Sequence, residues 1–235
     1  MAVSIDASSP AAVTATASAA ATFTTASFTP PANTLLVAVA SVGYSGSTQD
    51  TTFSISDSLS GSWSNDAIQF PASGGLPQNL IASRFNVSNT AMTVTLNTGT
   101  HTKGVDFSLF VLKGTATSSW LGGHAVSTTT MDGSVTTTTV GALVLVGAGY
   151  DTNATLTADG NTTTTNHLTD NSDGLELFTG HSTNTVSSPG ATTYGWTGAG
   201  ATAKTWAAAE YVPAATNLIR DFYFLNQAVR TAGSW

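Results

Sequence analysis

Short runs in which apolar and hydroxyl-bearing side chains alternate recur along the chain as far as residue 214. A period of two sends successive side chains to opposite faces of a strand, so each run reads as a half-buried β-strand. Gly, Asn, Asp, Ser and Pro punctuate the runs as they punctuate antiparallel turns. The pattern predicts strands at 3–7, 13–17 with 22–28, 34–42, 52–57, 62–70, 80–85, 92–96, 106–112, 124–128, 135–148, 155–157, 167–168, 175–180 and 191–211. Helical periodicity is almost absent before residue 215.

Two runs depart from alternation. Leu35-Leu-Val-Ala-Val-Ala40 and Ala142-Leu-Val-Leu-Val146 are continuously apolar, as expected of strands buried on both faces or lying centrally between two sheets. Phe53-Ser-Ile-Ser56 and Met92-Thr-Val-Thr-Leu96 alternate cleanly. The mixture predicts an all-β, two-sheet antiparallel jelly-roll sandwich with one shared core, spanning residues 1–214 as a single domain. The apolar runs end alike, in Val42-Gly-Tyr44 and Ala148-Gly-Tyr150. We read them as two central strands of one jelly roll in preference to two copies of a duplicated unit.

Residues 215–235 differ from what precedes them. The segment from Thr216 to Arg230 lacks Gly and Pro, offers Thr216 or Asn217 as a cap, and carries Asp221 early and Arg230 late, an order that favours a short helix. Leu218, Phe222, Leu225 and Val229 share one helical face, and Ile219 and Phe224 lie off it. A tail apolar on more than one side needs cover. Leu218, Ile219, Phe222, Tyr223, Phe224, Leu225, Val229 and Trp235 are therefore the candidate assembly residues, forming either a strap on the chain's own domain or a docking segment for a neighbour.

Composition narrows the function. Only 8% of the 235 residues are charged, against roughly a quarter in ordinary soluble domains. Six scattered basic residues in a chain of net charge −7 offer no stripe for neutralising phosphates, so no nucleic-acid partner is expected. No apolar run reaches the ~18 residues of a spanning helix, so no membrane span is expected. The N-terminal residues lack the basic start of a secretory leader, and the absence of cysteine removes disulfides and thiolate chemistry.

Candidate chemistry is sparse. Gly43-Tyr-Ser-Gly-Ser47 falls short of a nucleophile elbow, and His101, His124, His167 and His181 are far apart. The stretches 151–159 and 170–176 carry oxygen side chains suited to calcium, but their spacing fits solvated turns better. Gly198 to Thr205 mimics a phosphate-binding loop with Ala203 where glycine is required. Sequons at Asn86, Asn153 and Asn161 are expected by chance in so Thr-rich a chain. Trp63, Trp120, Trp196, Trp206, Tyr44, Tyr150 and Tyr194 fall in or beside turns and strand ends, where rings could stack on sugars, although core filling is their commoner use. We expect no enzyme, no catalytic residue, no metal and no cofactor.

Five stretches belong together: Pro31-Ala-Asn-Thr-Leu-Leu-Val-Ala-Val-Ala-Ser41, Ile55-Ser-Asp-Ser-Leu-Ser-Gly-Ser-Trp63, Met92-Thr-Val-Thr-Leu96, Ala142-Leu-Val-Leu-Val-Gly147 and Trp206-Ala-Ala-Ala-Glu-Tyr-Val-Pro213. In combination they resemble the jelly-roll domain of tailed-bacteriophage virion proteins of the capsid-decoration, head-fibre or minor-tail type. The resemblance covers residues 20–214 and carries no catalytic residues. It implies a structural subunit exposed on the virion, assembled in the host cytoplasm, that decorates or cements the capsid and contacts the major capsid or tail protein. A homo-oligomer is expected, a trimer ahead of other states. The alternative is a tail or fibre adhesin or carbohydrate-binding module for a host surface glycan, using the loop aromatics with Asp151, Asp159, Asp170 and Asp173.

Overall fold

A computed structural model describes residues 1–16, 20–44, 53–70, 77–99, 102–151, 155–170, 174–198 and 204–215, and these are strands and their connections without an α-helix. No helix among them is long and apolar enough to cross a membrane. The assembly residues read from 216–235, Leu218, Ile219, Phe222, Tyr223, Phe224, Leu225, Val229 and Trp235, lie outside the described residues.

The first half holds β1 (Ser4–Ile5), β2 (Val13–Thr16), β3 (Thr22–Thr24), β4 (Thr34–Tyr44), β5 (Ser54–Asp57), β6 (Ser64–Gln69), β7 (Gln78–Asn86), β8 (Val94–Asn97) and β9 (Thr102–Lys113). Its large sheet runs β9-β4-β7-β6, with β1 and β2 both paired to the outer edge of β9, and its small sheet runs β3-β8-β5. The second half holds β10 (Leu121–Ser127), β11 (Asp132–Thr137), β12 (Leu143–Tyr150), β13 (Thr157–Ala158), β14 (Thr162–Asp170), β15 (Leu175–Ser182), β16 (Gly190–Thr197) and β17 (Lys204–Tyr211). Its large sheet is β10-β17-β12-β15-β14 and its small sheet β11-β16-β13.

Counted from β2 and from β10, the two halves repeat one connectivity. In each, the first, eighth, third, sixth and fifth strands make the large sheet, and the second, seventh and fourth make the small one. This is the double-sheet winding of a jelly roll. The all-β sandwich expected from the strand pattern is present, but as two jelly rolls in place of one, and β4 and β12 are equivalent strands of a duplicated unit. Val42-Gly-Tyr44 and Ala148-Gly-Tyr150 are the matching ends of that unit.

The packing explains why both central strands are apolar throughout. Each large sheet is covered on one face by its own small sheet and on the other by the second large sheet, giving three cores in place of one. Leu36, Ala38, Ala40 and Val42 of β4 pack with Phe23, Phe53, Ile55, Val94 and Leu96 in the N-terminal core. Val144, Val146, Ala148 and Tyr150 of β12 pack with Val135, Phe178, Trp196 and Trp206 in the C-terminal core. Between the large sheets, Leu35, Val37, Val39, Ile81, Phe110 and Leu112 meet Leu143, Leu145, Ala207, Ala209 and Tyr211. Full burial of each large aliphatic chain contributes about 1.5–3 kcal/mol, so the middle layer holds the two jelly rolls together.

Strand β15 packs on β9 and β4, β17 on β7 and β6, β14 on β2 and β9, and β10 on β6. The two large sheets are thus related by an approximate two-fold axis along the strands, and both jelly rolls point the same way. At one end the Val3 amide donates to the Gly141 carbonyl, the Ala214 amide donates to the Gly114 carbonyl, and Thr115 pairs with Pro213. The first residues, the linker between the jelly rolls and the exit toward 216–235 therefore gather there. Beside them Lys113 pairs with Asp6 and holds that carboxyl down at about 2. At the opposite end β2, β4, β12 and β14 finish and β9, β15 and β17 begin.

Candidate functional site

The middle layer changes character along its length. Toward the end where Val3 meets Gly141 it is aliphatic and aromatic; toward the other end its residues are polar or glycine. On the N-terminal sheet Ser41 is flanked in register by Asn79 of β7 and Asp106 of β9, and alternation turns all three toward the second large sheet. Across from them β12 carries Gly147 and Gly149. A Cβ on Gly149 would stand 2.2 Å from Pro77, so only glycine permits this approach. The sheets come close enough for the Ser41 hydroxyl to donate directly to the Ala148 carbonyl at 2.8 Å.

The remaining polar groups cross the same seam. The Asn79 amide donates to the Thr205 hydroxyl at 2.7 Å, and the Ser108 and Thr179 hydroxyls share a hydrogen bond of 2.6 Å. Asp106 Oδ1 accepts from the Asn166 amide at 2.8 Å and from Thr179 at 3.4 Å. Asn166 reaches the seam because the β14–β15 register slips between Thr164 and Asn166. Such a bulge inverts which side chains face which way. Asn166 therefore faces Asp106, while His167 faces the C-terminal core, stacked on Phe178 with ring centres 4.1 Å apart.

Asp106 is fully buried. Burial dominates over its hydrogen bonds and pushes its carboxyl up to about 7. Its Oδ2 has no partner, nor has Asn79 Oδ1, so this polar end of the seam is under-satisfied, in contrast to the usual pairing of buried polar groups. On the other side of the two-fold axis Tyr211 donates to Asp66 at 2.6 Å and Trp120 donates to Ser83 at 2.8 Å. Asp66 is likewise raised by burial.

A groove of about 280 Å³ opens beside the polar seam, with Ile5, Pro10 and Phe110 on its apolar walls and Ser108, Thr165 and His181 as its polar ones. It brings a serine and a histidine to one place without making a relay. The Ser108 hydroxyl is engaged with Thr179, and His181 Nδ1 faces the Ser182 carbonyl at 2.8 Å. An imidazole set up as a general base is oriented by a carboxylate or equivalent acceptor and bonded to its nucleophile. His167 is paired with Glu176, His124 lies on β10, and His101 falls outside the described residues.

The described carboxylates among the glycan or calcium candidates each have their own setting. Asp159 accepts from the Asn161 amide of its own turn at 3.0 Å, Asp170 is buried at the end of β14, and Asp173 is outside the described residues. Among the described residues no three His, Asp or Glu side chains converge as metal ligands. The candidate stacking rings prove to be core residues: Trp196, Trp206, Tyr44, Tyr150 and Tyr194 are buried. Trp63 and Trp120 are half-buried, with their indole N–H groups bonded to Asp57 at 2.7 Å and to Ser83 at 2.8 Å. The Asn86 sequon is closed as well, its side chain buried and donating to the Pro31 and Ser88 carbonyls.

Fold and site together define a tandem jelly-roll protein with a partly polar, close-packed seam. No protein-family model matches the chain, and neither does any curated protein or solved structure.

Proposed function

We propose that the chain is a structural subunit of a tailed-bacteriophage virion, exposed on the particle and decorating or cementing its capsid. The observation that carries this reading is the common polarity of the two jelly rolls. The first residues, the inter-roll linker and the exit toward 216–235 lie at one end, and the strand ends bracketing the connections β4–β5, β8–β9, β12–β13 and β16–β17 lie at the other. A subunit held to a larger particle at one end and displayed at the other is served by that arrangement. In this reading the apolar residues of 216–235 form the attachment, to the major capsid or tail protein or to other copies in a homo-oligomer such as a trimer. The chain would join the virion during assembly in the host cytoplasm. The sequence resemblance over residues 20–214 supports the same assignment.

Immunogold labelling of purified particles from a culture producing the chain tests it. Label on the capsid surface is expected, and a chain truncated after Ala215 is expected to stay folded by circular dichroism yet leave the particles. A full-length chain found only in the particle-free lysate would sink the proposal. Label confined to the tail would move the subunit to the adhesin class. That class is favoured by one separate observation, an uncharged cleft in the second jelly roll.

A further inference from the structure

The connection from β15 to β16 runs beside the turn joining β13 to β14 and is pinned by the backbone. The Val186 amide donates to the Ala142 carbonyl at 2.8 Å, the Gly141 amide to the Val186 carbonyl at 2.7 Å, and the Thr183 amide to the Asn161 carbonyl at 2.8 Å. Between the connection, the turn and β16 lies a cleft of about 240 Å³. Its walls are set by main-chain hydrogen bonds, so it is formed before any ligand arrives, which lowers the ordering cost of binding.

Every polar side chain around the cleft is neutral. Asn161, Asn184, Thr185, Ser187 and Ser188 stand at the rim, with Thr192 inside and the buried Val186 and Tyr194 beneath. Asn161 spends its amide N–H on the Thr193 carbonyl at 3.1 Å, which leaves its Oδ1 as an acceptor. The exposed Asn184, Ser187 and Ser188 offer amide and hydroxyl groups that can both donate and accept. With no lysine, arginine or carboxylate on the walls, nothing there compensates the desolvation of an ionic ligand. A ligand that presents several hydroxyls and a small apolar face fits both the rim and the floor.

The same corner of the first jelly roll is plugged. There, in the turn from β5 to β6, Asp57 gathers Arg84, the Trp63 indole at 2.7 Å and the Leu59 amide at 2.8 Å. Burial of Asp57 opposes its ionisation, but these donors hold its carboxyl below the ordinary range. In the second roll the corresponding carboxylate, Asp159, bonds only its own turn and keeps Oδ2 buried and unpartnered. The duplicated framework thus has one filled corner and one open one.

We propose that the open corner is a saccharide site, taking a single uncharged pyranose unit of a glycan through Asn161, Asn184, Ser187 and Ser188. The site does not depend on whether the subunit sits on a capsid, a tail or elsewhere. Saturation-transfer NMR on the full chain, with methyl glycosides of glucose, galactose, mannose, N-acetylglucosamine and N-acetylgalactosamine as probes, is the direct test. At least one is expected to bind in the millimolar range, while glucuronic acid and sialic acid do not. Asn184 and Ser187 are exposed, so N184A/S187A is expected to keep the wild-type melting temperature and to weaken binding at least tenfold. Ser187→Trp, which fills the cleft, is expected to abolish it. Absence of transfer to all five glycosides, equal binding of the acidic sugars, or affinity within twofold of wild type in both variants would overturn the assignment.

Discussion

The two jelly rolls share a winding and a register, and almost nothing else at equivalent positions. Val42 pairs with Val105 in the first, and its counterpart Ala148 pairs with Trp206 in the second. Stepping along β9 and β17 from that match sets Val105, Phe107 and Leu109 against Trp206, Ala208 and Glu210 on the faces turned to each roll's own core. On the faces turned to the seam it sets Asp106, Ser108 and Phe110 against Ala207, Ala209 and Tyr211. Volume has moved between neighbours, Phe107 to Ala208 and Val105 to Trp206, while the inward parity of each position has stayed. What the framework requires is alternation and fill, and chemistry is free to differ between the copies.

Equivalent positions should therefore differ in cost when truncated. Trp206 is buried, its indole N–H donating to the Tyr194 carbonyl at 2.9 Å, and it packs over Gly133, where a Cβ would stand 2.5 Å from its ring. Trp206→Ala empties that space and strands a carbonyl, and should cost about 3–5 kcal/mol. Val105→Ala at the matching place removes two methyl groups, for about half that. Urea melts of the two variants measure the difference. Equal losses would mean that the volume moved between the two copies does not set the cost of truncation at these positions.

The alternation that defines the small sheets was legible in the sequence, because Phe23, Ile55, Val94 and Val135 each stand alone between exposed or half-buried hydroxyl residues. The duplication was legible only as a hint. Two continuously apolar strands have two explanations, central strands of one sandwich or large sheets covered on both faces, and side-chain hydropathy is the same in both. The distinguishing residues were Ser41, Asp106, Gly147 and Gly149, which interrupt apolar strands on the seam face at the place where the sheets approach most closely. A single sequence does not reveal that those interruptions face one another. The open corner was less legible still, since Asn161, Asn184, Ser187 and Ser188 come from two connections brought together by backbone pairing at Val186 and Thr183.

The second contrast between the copies is Leu109 against Glu210. Leu109 is an ordinary member of the first core. Glu210 is fully buried, and its carboxylate collects the amides of Gly123, Thr138 and Thr139 and the Thr138 hydroxyl, all between 2.7 and 3.0 Å. It thereby ties β10 to the chain leaving β11. Glu210→Leu, which writes the first roll's residue into the second, leaves those donors unmet and should cost about 3 kcal/mol, a fall in melting temperature of roughly 6–12 °C for a chain of this size. Glu210→Gln, which keeps one acceptor oxygen, should lose less. A Leu variant as stable as wild type would show that the carboxylate is not what secures that corner.

The smallest effect at mildly acidic pH is expected at Asp106, whose counterpart is Ala207. Burial raises the Asp106 carboxyl to about 7 in the folded chain, against about 3.9 when unfolded. Between those values the folded chain keeps a proton that the unfolded chain has released, so stability falls as pH rises, by at most ~1.4 kcal/mol per pH unit, and levels off above about pH 7. Asp66, also raised by burial, tilts the curve in the same sense. The lowered Asp6 and Asp57 act oppositely, their contribution being lost only as pH falls through the acid range. Asp106→Asn has the shape of the neutral acid and can still accept from Asn166 and Thr179. It should match wild type at pH 5 within about 1 kcal/mol and exceed it at pH 8, flattening the profile between. Thermal melts from pH 4.5 to 8.5 separate this from a structural defect, which would lower the whole curve. If the two profiles run parallel, the proton at Asp106 does not differ between the folded and unfolded chains, and the equivalent positions Asp106 and Ala207 are alike in their response to pH after all.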